Sequence, residues 1–562
     1  MKKSWICLML AAVTLLSSAC GAAAPAAETV PQAANLSALT PIEVEIKTDR
    51  TTGYLSPITG NETKDKKIWA WAEQIYQEWK AREDDILANG AASSSKIDRS
   101  ERDFTENVYG QYSSSTPKAY KTRTLSTLKG FTPKSVELDE YGGWKNEAMR
   151  QEAKGYFYVA KINGRWWYID PLGYPYLASG VCGMTYQYSG SEYQKKVIIE
   201  KYGSFEKWAI AATLEVKEID VNARSVLDNA NPYLRDVPGQ IPYQDKFGFI
   251  SGYERKIGGY DTEAKSGSTI LLYGMHVFDP DFVTYADELA GTAILADGYY
   301  DDPYFIGYAT DNEIPVGNGM LTEFISLDIK NTKINYYSYA VAWTFLAHET
   351  GKDNPTFLDA NKTELKDKFR GMVYDRYFAV VVPAIRKYDD RHLILGTRAL
   401  NVQRDSEWLN RVSGYWCDVI SLNWYKDWTP SADQLENIAK WANKPMIITE
   451  FFAKGEDACV GVAEGMTNSL NTTSPVVATQ ADRGKFYQNY VLRLIESKNV
   501  IGWMWFTYTE ATPGDGTSKY QNDGFSNTGL YSNDHEIYTD FAEYMAELNR
   551  NKYALTQYFD GK

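Results

Sequence analysis

From about residue 176 onward, short apolar runs alternate with longer segments of helical periodicity, and this alternation constrains the chain more than any other feature. Eight runs read as strands: Tyr176 to Val181, Val221 to Val226, Thr269 to Gly274, Tyr304 to Ala309, His392 to Thr397, Asp418 to Trp424, Pro445 to Thr449 and Val500 to Thr507. Helices are expected between them at Ile334 to His348, Lys366 to Tyr388, Ala432 to Ala442 and Ala481 to Ser497. Strands separated by helices pair in parallel through βαβ units. Eight such units predict closure into an α/β fold, a (β/α)8 TIM barrel. Glycine-rich text from 238 to 268 reads as a long loop on top of it.

Ahead of the barrel, Tyr156 to Ile162 and Arg165 to Ile169 flank Asn163-Gly164. That pair supplies the φ > 0 turn of a tight β-hairpin, and the hairpin is placed as a cap on the barrel floor. Apolar positions Ile68, Trp71, Ile75 and Trp79 mark an amphipathic helix over 65 to 88, while 90 to 130 is rich in Ser, Thr and Lys and reads as irregular. The expected organisation is a leader at 1–20, a flexible tether at 21–40, an N-terminal extension at 41–150 packed on the barrel, and the barrel itself at 151–562.

Residues 1–20 carry Lys2 and Lys3, an apolar run from Trp5 to Leu16, and Ser17, Ser18 and Ala19 before Cys20. The run is too short to span a bilayer permanently, so it reads as a signal peptide. Small residues before a cysteine resemble the bacterial lipobox. That makes Cys20 the expected lipidation site and the bacterial envelope, periplasmic or cell-surface, the expected location; an ordinary cleaved secretory peptide is the alternative. Leu16 stands one place farther from Cys20 than the usual pattern has it.

A formal net charge of −14 lacks the concentrated basic footprint that nucleic-acid binding needs. Aromatic residues make up 14% of the chain, and flat amphipathic rings suit either sugar faces or the packing of a large core. A carbohydrate partner is therefore expected. Cys182, Cys417 and Cys459 remain after the leader and form at most one disulfide, and four scattered His residues (276, 348, 392 and 535) offer no zinc pattern. Neither metal nor cofactor is expected.

In a parallel barrel the reactive face is the C-terminal end of the strands. Two acids stand there: Glu313, after the fourth run in Thr310-Asp311-Asn312-Glu313-Ile314-Pro315, and Glu450, after the seventh in Pro445-Met446-Ile447-Ile448-Thr449-Glu450. Asn-Glu also occurs at Asn61-Glu62 and Asn146-Glu147, but without a preceding buried strand. A pair of carboxyls across one cavity is what glycosidic cleavage uses, one to protonate the leaving oxygen and one to attack or to activate water.

Asn-Glu after strand four with Glu after strand seven resembles clan A of the glycoside hydrolases. Four stretches resemble the family 50 β-agarases: Arg165 to Val181, Tyr304 to Pro315, Asp418 to Phe451, and Ile501 to Tyr508. The similarity runs over roughly 140 to 530 in the family's segment order. The sequence departs from that family where Thr449-Glu450 replaces Gly-Glu and in the strand-two text DVNARSVLD.

The resemblance implies a retaining enzyme for a β-linked, galactose-containing glycan, with Glu450 as nucleophile and Glu313 as acid/base. A β-galactosidase, another clan A β-glycanase and a non-catalytic sugar-binding lipoprotein are the competing readings. Asn312 is expected on the sugar 2-hydroxyl, or as a turn residue. Tyr425 would hold Glu450 as an anion, with Asn423 joining it. Arg398 matches the family's arginine or serves as a surface ion-pair partner. Trp505 would stack under the sugar or face the core, and Trp424 and Trp428 are candidate stacking platforms on the same rim.

Overall fold

Met446–Phe451 and Val500–Trp505 are buried at every position, as strands covered on both faces must be. The computed structural model describes residues 57–561 other than 101–102, 113–115, 186–191, 226–231, 258–275, 328, 330–334, 459–472 and 511–526. Within these, eight parallel strands form one sheet: β1 (Ala178–Val181), β2 (Ala223–Arg224), β3 (Tyr243–Lys246), β4 (Phe305–Ala309), β5 (Leu393–Gly396), β6 (Ile420–Asn423), β7 (Met446–Phe451) and β8 (Val500–Trp505). The order β5-β4-β3-β2-β1-β8-β7-β6 closes on itself, because Ala399 beyond β5 bridges Leu422 of β6, its amide donating to the Ser421 carbonyl at 3.1 Å. Neighbouring strands approach so closely that a Cβ at position 180 would lie 2.2 Å from the Met504 sulfur, so Gly180 is required there.

The connecting helices cover the outside. Thr363–Arg386, between β4 and β5, presents Phe369, Val373, Tyr377 and Val381 inward. Ala432–Ala442 begins at Ser431, whose hydroxyl accepts from the Gln434 amide, and ends at Asn443 with φ 50°, the left-handed cap that turns the chain into β7. Glu407–Trp416 leads from β5 to β6, Gln480–Glu496 from β7 to β8, and Thr539–Asp560 packs against Gln480–Glu496.

The hairpin strands Tyr158–Ile162 and Arg165–Ile169 turn at Asn163 (φ 52°) and Gly164 (φ 78°). They lie under the barrel, where the Trp166 amide donates to the carbonyl of Lys498 just before β8, at 2.9 Å. Arg165 is buried there and pairs with Asp560 at 2.7 Å.

Two sequence expectations fail in instructive ways. The third strand is Tyr243–Lys246, inside the text read as a loop, whereas the expected run Thr269 to Gly274 lies outside the described residues. Its polar text, Tyr-Gln-Asp-Lys, hides it from a search for apolar runs. Nor is the stretch from 90 to 130 irregular throughout: Glu106–Gln111 and Lys118–Thr122 pair antiparallel, and Val476–Val477 and Lys454–Gly455 extend that small sheet. Only one face is buried, with Val108 inside and Tyr109 outside, so the apolar signal is thin. The expected leader and tether and Cys20 lie outside the described residues, as does Cys459, while Cys182 and Cys417 are buried.

The rest of the extension packs on the barrel. Helix Glu62–Ala88 buries Ile68, Trp69, Ile75 and Trp79 against Asn335–Thr350 and Thr363–Arg386, and Arg82 pairs with the buried Asp375 at 2.6 Å. The small sheet is pinned by Trp428, which stacks on Tyr120 at 4.5 Å and donates its indole N–H to the Thr122 hydroxyl at 3.1 Å. Trp428→Ala is therefore expected to lower the unfolding free energy by about 3–5 kcal/mol. Tyr109→Ala, on the same hairpin but 63% exposed, should change it by less than about 0.5 kcal/mol; urea titration of the two variants checks the contrast.

Candidate active site

The strand ends around β4 to β7 are stitched together before any function is considered. Beyond β4, the Thr310 amide donates to the Gly396 carbonyl at 2.7 Å and the Glu313 amide to the Thr397 carbonyl at 3.0 Å. Glu313 (φ 54°) and Arg398 (φ 51°) both take left-handed backbone, which costs a non-glycine residue about 1 kcal/mol. Such strain persists only where surrounding contacts over-determine it, and it concentrates at functional sites. The Arg398 amide is held by the Ser421 hydroxyl at 2.8 Å.

Glu450 is the fifth residue of β7, inside the strand rather than past it, and register places it opposite Asn423 of β6. It is 5% exposed. One carboxylate oxygen accepts from the Arg398 guanidinium and the other from the Tyr425 hydroxyl. Burial, and then the charge of Glu450, push the Tyr425 phenol well above its ordinary range, so it stays protonated as a donor. Arg398 is fully buried, and its Nε and Nη1 have no hydrogen-bond partner among the described residues.

Glu313 is half-buried and receives 2.6 Å from the Asn423 amide nitrogen. That amide is oriented by Thr449, whose hydroxyl donates to the Asn423 oxygen at 2.7 Å and leaves the NH2 group for Glu313. Burial first, and the nearby Glu450 charge second, raise the Glu313 carboxyl to about 7, against the lowering effects of Asn423 and Arg398. Two carboxyls thus meet at one cluster in unlike settings: Asn423 touches one and Tyr425, two residues on, touches the other. Among the described residues no group of three His, Cys, Asp or Glu side chains is arranged to hold a metal ion.

The expected residues fare differently. Glu313, Glu450, Arg398, Asn423 and Tyr425 come together, but Asn423 bonds Glu313 and not Glu450, and Arg398 is a buried partner of Glu450 rather than a surface ion-pair residue. Asn312 stands exposed at the rim.

Trp505 does not line the cavity: it is fully buried on the outer side of β8, 4.5 Å from Phe541, and its indole N–H donates to the Thr528 carbonyl at 2.8 Å. Successive strand residues face opposite ways, and the half-buried aromatic at this strand end is Phe506, 5.7 Å from Phe452. Trp424 and Trp428 are not platforms either. Trp424 is buried and donates to Asp427 at 2.6 Å, and Trp428 already stacks on Tyr120. Thr449, noted in the sequence only as a departure from Gly-Glu, and Lys246, half-buried at the end of β3 and not singled out, are brought to the site by strand register alone.

No protein-family profile matches the chain. Beta-agarase B of Vibrio sp. (strain JT0107) is 23% identical over 502 residues, covering 74% of this chain. The chain spans about half the length of that curated relative, 50% of it being covered. The crystal structure of BpGH50 is similar with a TM-score of 0.70 at 24% identity, covering 84% of this chain and 99% of that one. An exo-beta-agarase (TM-score 0.58, 17% identity, 76% of this chain and 68% of that one) and the agarase AgWH50C (0.57, 18%, 75% and 67%) share the architecture. These likenesses show the fold.

The unlike settings of the two carboxyls give a direct test. Glu450→Gln removes one cause of the raised Glu313 value and leaves burial, the larger one. The Glu313 carboxyl is then expected to titrate below about 7 yet above the ordinary carboxylate range, read by NMR of 13C-labelled glutamate.

Proposed function

We propose that this chain is a retaining glycoside hydrolase acting on a β-linked, galactose-containing glycan, with Glu450 as nucleophile and Glu313 as acid/base. The observation that carries the reading is the split environment of the pair: Glu450 accepts from the Arg398 guanidinium and the Tyr425 hydroxyl, while Glu313 is raised to about 7. An acid poised near neutrality beside a fixed anion is the combination a double displacement needs. The similarity to Beta-agarase B supports a galactan as the class of substrate.

In the first step a Glu450 oxygen attacks the anomeric carbon, the glycosidic C–O bond breaks, and the Glu313 proton passes to the leaving oxygen. Esterified Glu450 is neutral, so the second cause of the raised Glu313 value vanishes while the Arg398 charge, now without its counter-ion, lowers it further. Glu313 becomes a carboxylate and can take a proton from water. That water attacks the anomeric carbon and frees Glu450. Retention of configuration requires the carboxyls to act from about 5–5.5 Å apart. Asn312, exposed at the rim next to Glu313, is proposed to meet the sugar 2-hydroxyl. The resemblance of residues 1–20 to a lipoprotein signal, with Cys20 as the lipidation site, supports an enzyme anchored to the cell envelope.

Glu450→Gln and Glu313→Gln are each expected to lower kcat by about 10²–10⁴ or more on a β-galactan oligosaccharide. NMR of the first-formed reducing end should show the β anomer, and an α product would overturn the double displacement. Because Glu313 must start protonated, kcat/KM should be full below about pH 7 and fall as the pH rises through that value.

A further inference from the structure

Strand β3 carries a cation that the mechanism above leaves unused. Tyr243 and Asp245 face the outer layer, where the Tyr243 hydroxyl donates to Asp302 at 2.7 Å and Asp245 accepts from the Tyr299 hydroxyl. Side chains alternate along a strand, so Gln244 and Lys246 face the barrel axis. Lys246 pairs with Ala309 of β4, and the Phe247 amide donates to the Ala309 carbonyl at 2.9 Å. It therefore stands at the level where β4 gives way to the loop that carries Glu313.

The ammonium of Lys246 is half-buried and makes no ion pair or hydrogen bond among the described residues. Other buried cations do better: Arg165 pairs with Asp560, Arg404 with Asp427, and Lys552 donates to the Ser179 hydroxyl at 2.8 Å. The acids near Lys246 are already engaged. Asp311 accepts from the Ile250 amide and the Tyr377 hydroxyl, and Asp245 from Tyr299 and the Lys246 amide. Burial, then the positive charge of Arg398, lower the pKa of Lys246. A compact, strongly hydrated ammonium that is half-buried with no counter-ion among the described residues is costly, and a sugar hydroxyl offsets little of that cost.

We propose that Lys246, at the end of β3 and level with the last residue of β4, forms a cationic subsite that takes a negatively charged oxygen-rich substituent, a sulfate ester or a carboxylate, on a sugar ring bound near the scissile bond. This rests on the glycoside hydrolase reading and names the substrate class within it: an acidic rather than a neutral galactan. The chain's net charge of −14 repels such a polymer at long range, but salt screens that repulsion beyond roughly 8 Å, so the local cation decides.

The test uses three β-linked galactan oligosaccharides matched in length: neutral, 6-O-sulfated, and uronate-bearing. Wild type, Lys246→Met and Lys246→Arg are compared for kcat and KM, and the Glu450→Gln variant, alone and combined with Lys246→Met, is titrated with each sugar by calorimetry. Thermal melts establish that the variants are folded. Wild type is expected to favour at least one acidic oligosaccharide by tenfold or more in kcat/KM, and the arm that shows it identifies sulfate or carboxylate. Lys246→Met should erase most of that preference through KM, and Lys246→Arg should retain it.

A wild-type enzyme that hydrolyses the neutral sugar without any acidic preference overturns the subsite and leaves the hydrolase reading standing. Equal losses on neutral and acidic sugars in Lys246→Met also overturn it. Calorimetric preference for an acidic sugar that disappears with Lys246, even where no sugar is hydrolysed, supports the subsite and counts against the hydrolase reading alone.

Discussion

The contact between the Arg398 guanidinium and the Glu450 carboxylate is the constraint around which the mouth of the barrel is arranged. Neither charge could be buried alone, since an isolated buried ion costs several kcal/mol. The pair forms because β5 and β7 end at the same level and because left-handed backbone at Arg398, pinned by the Ser421 hydroxyl, aims the guanidinium across the mouth. Tyr425 satisfies the second oxygen of Glu450, and the register of β6 on β7 puts Asn423 beside it. Barrel closure is thus a functional requirement as well as an architectural one, because only a closed sheet brings the ends of β4 and β7 to one place.

From that fixed anion the other properties follow. Glu313 sits half-buried within reach of its field and is raised to about 7, whereas the Glu450 carboxylate accepts hydrogen bonds from a guanidinium and a phenol. The same functional group thus stands in two unlike environments, and the proposed division into acid and nucleophile rests on that difference. Asn423 tempers the shift, and Thr449 decides which end of that amide meets Glu313. The hydroxyl at position 449 matters here, where the resembling family carries glycine.

Legibility in the sequence followed burial. Strands β4, β7 and β8 were visible because they are mostly apolar and buried along their whole length, and Glu313 and Glu450 were visible as acids at the ends of two of those runs. The hairpin turned where Asn163-Gly164 said it would. Strand β3 was invisible because its inward side chains, Gln244 and Lys246, serve a polar interior. The small N-terminal sheet was missed because it is buried on one side only. Position in the strand left Trp505 open to either the cavity or the core, because without the phase of the pleat a shift of one residue exchanges one for the other. Contacts such as Thr449 to Asn423 depend on register between separate strands, which no single run of sequence contains.

The central claim is that Glu450, and no other carboxylate, bonds to the anomeric carbon. It is tested most directly by trapping: incubation with a 2-deoxy-2-fluoro-β-galactosyl fluoride, followed by proteolysis and mass spectrometry of the labelled peptide. The account expects a single fluoroglycosyl group, esterified to Glu450. A label on Glu313, or on any other residue, would contradict it.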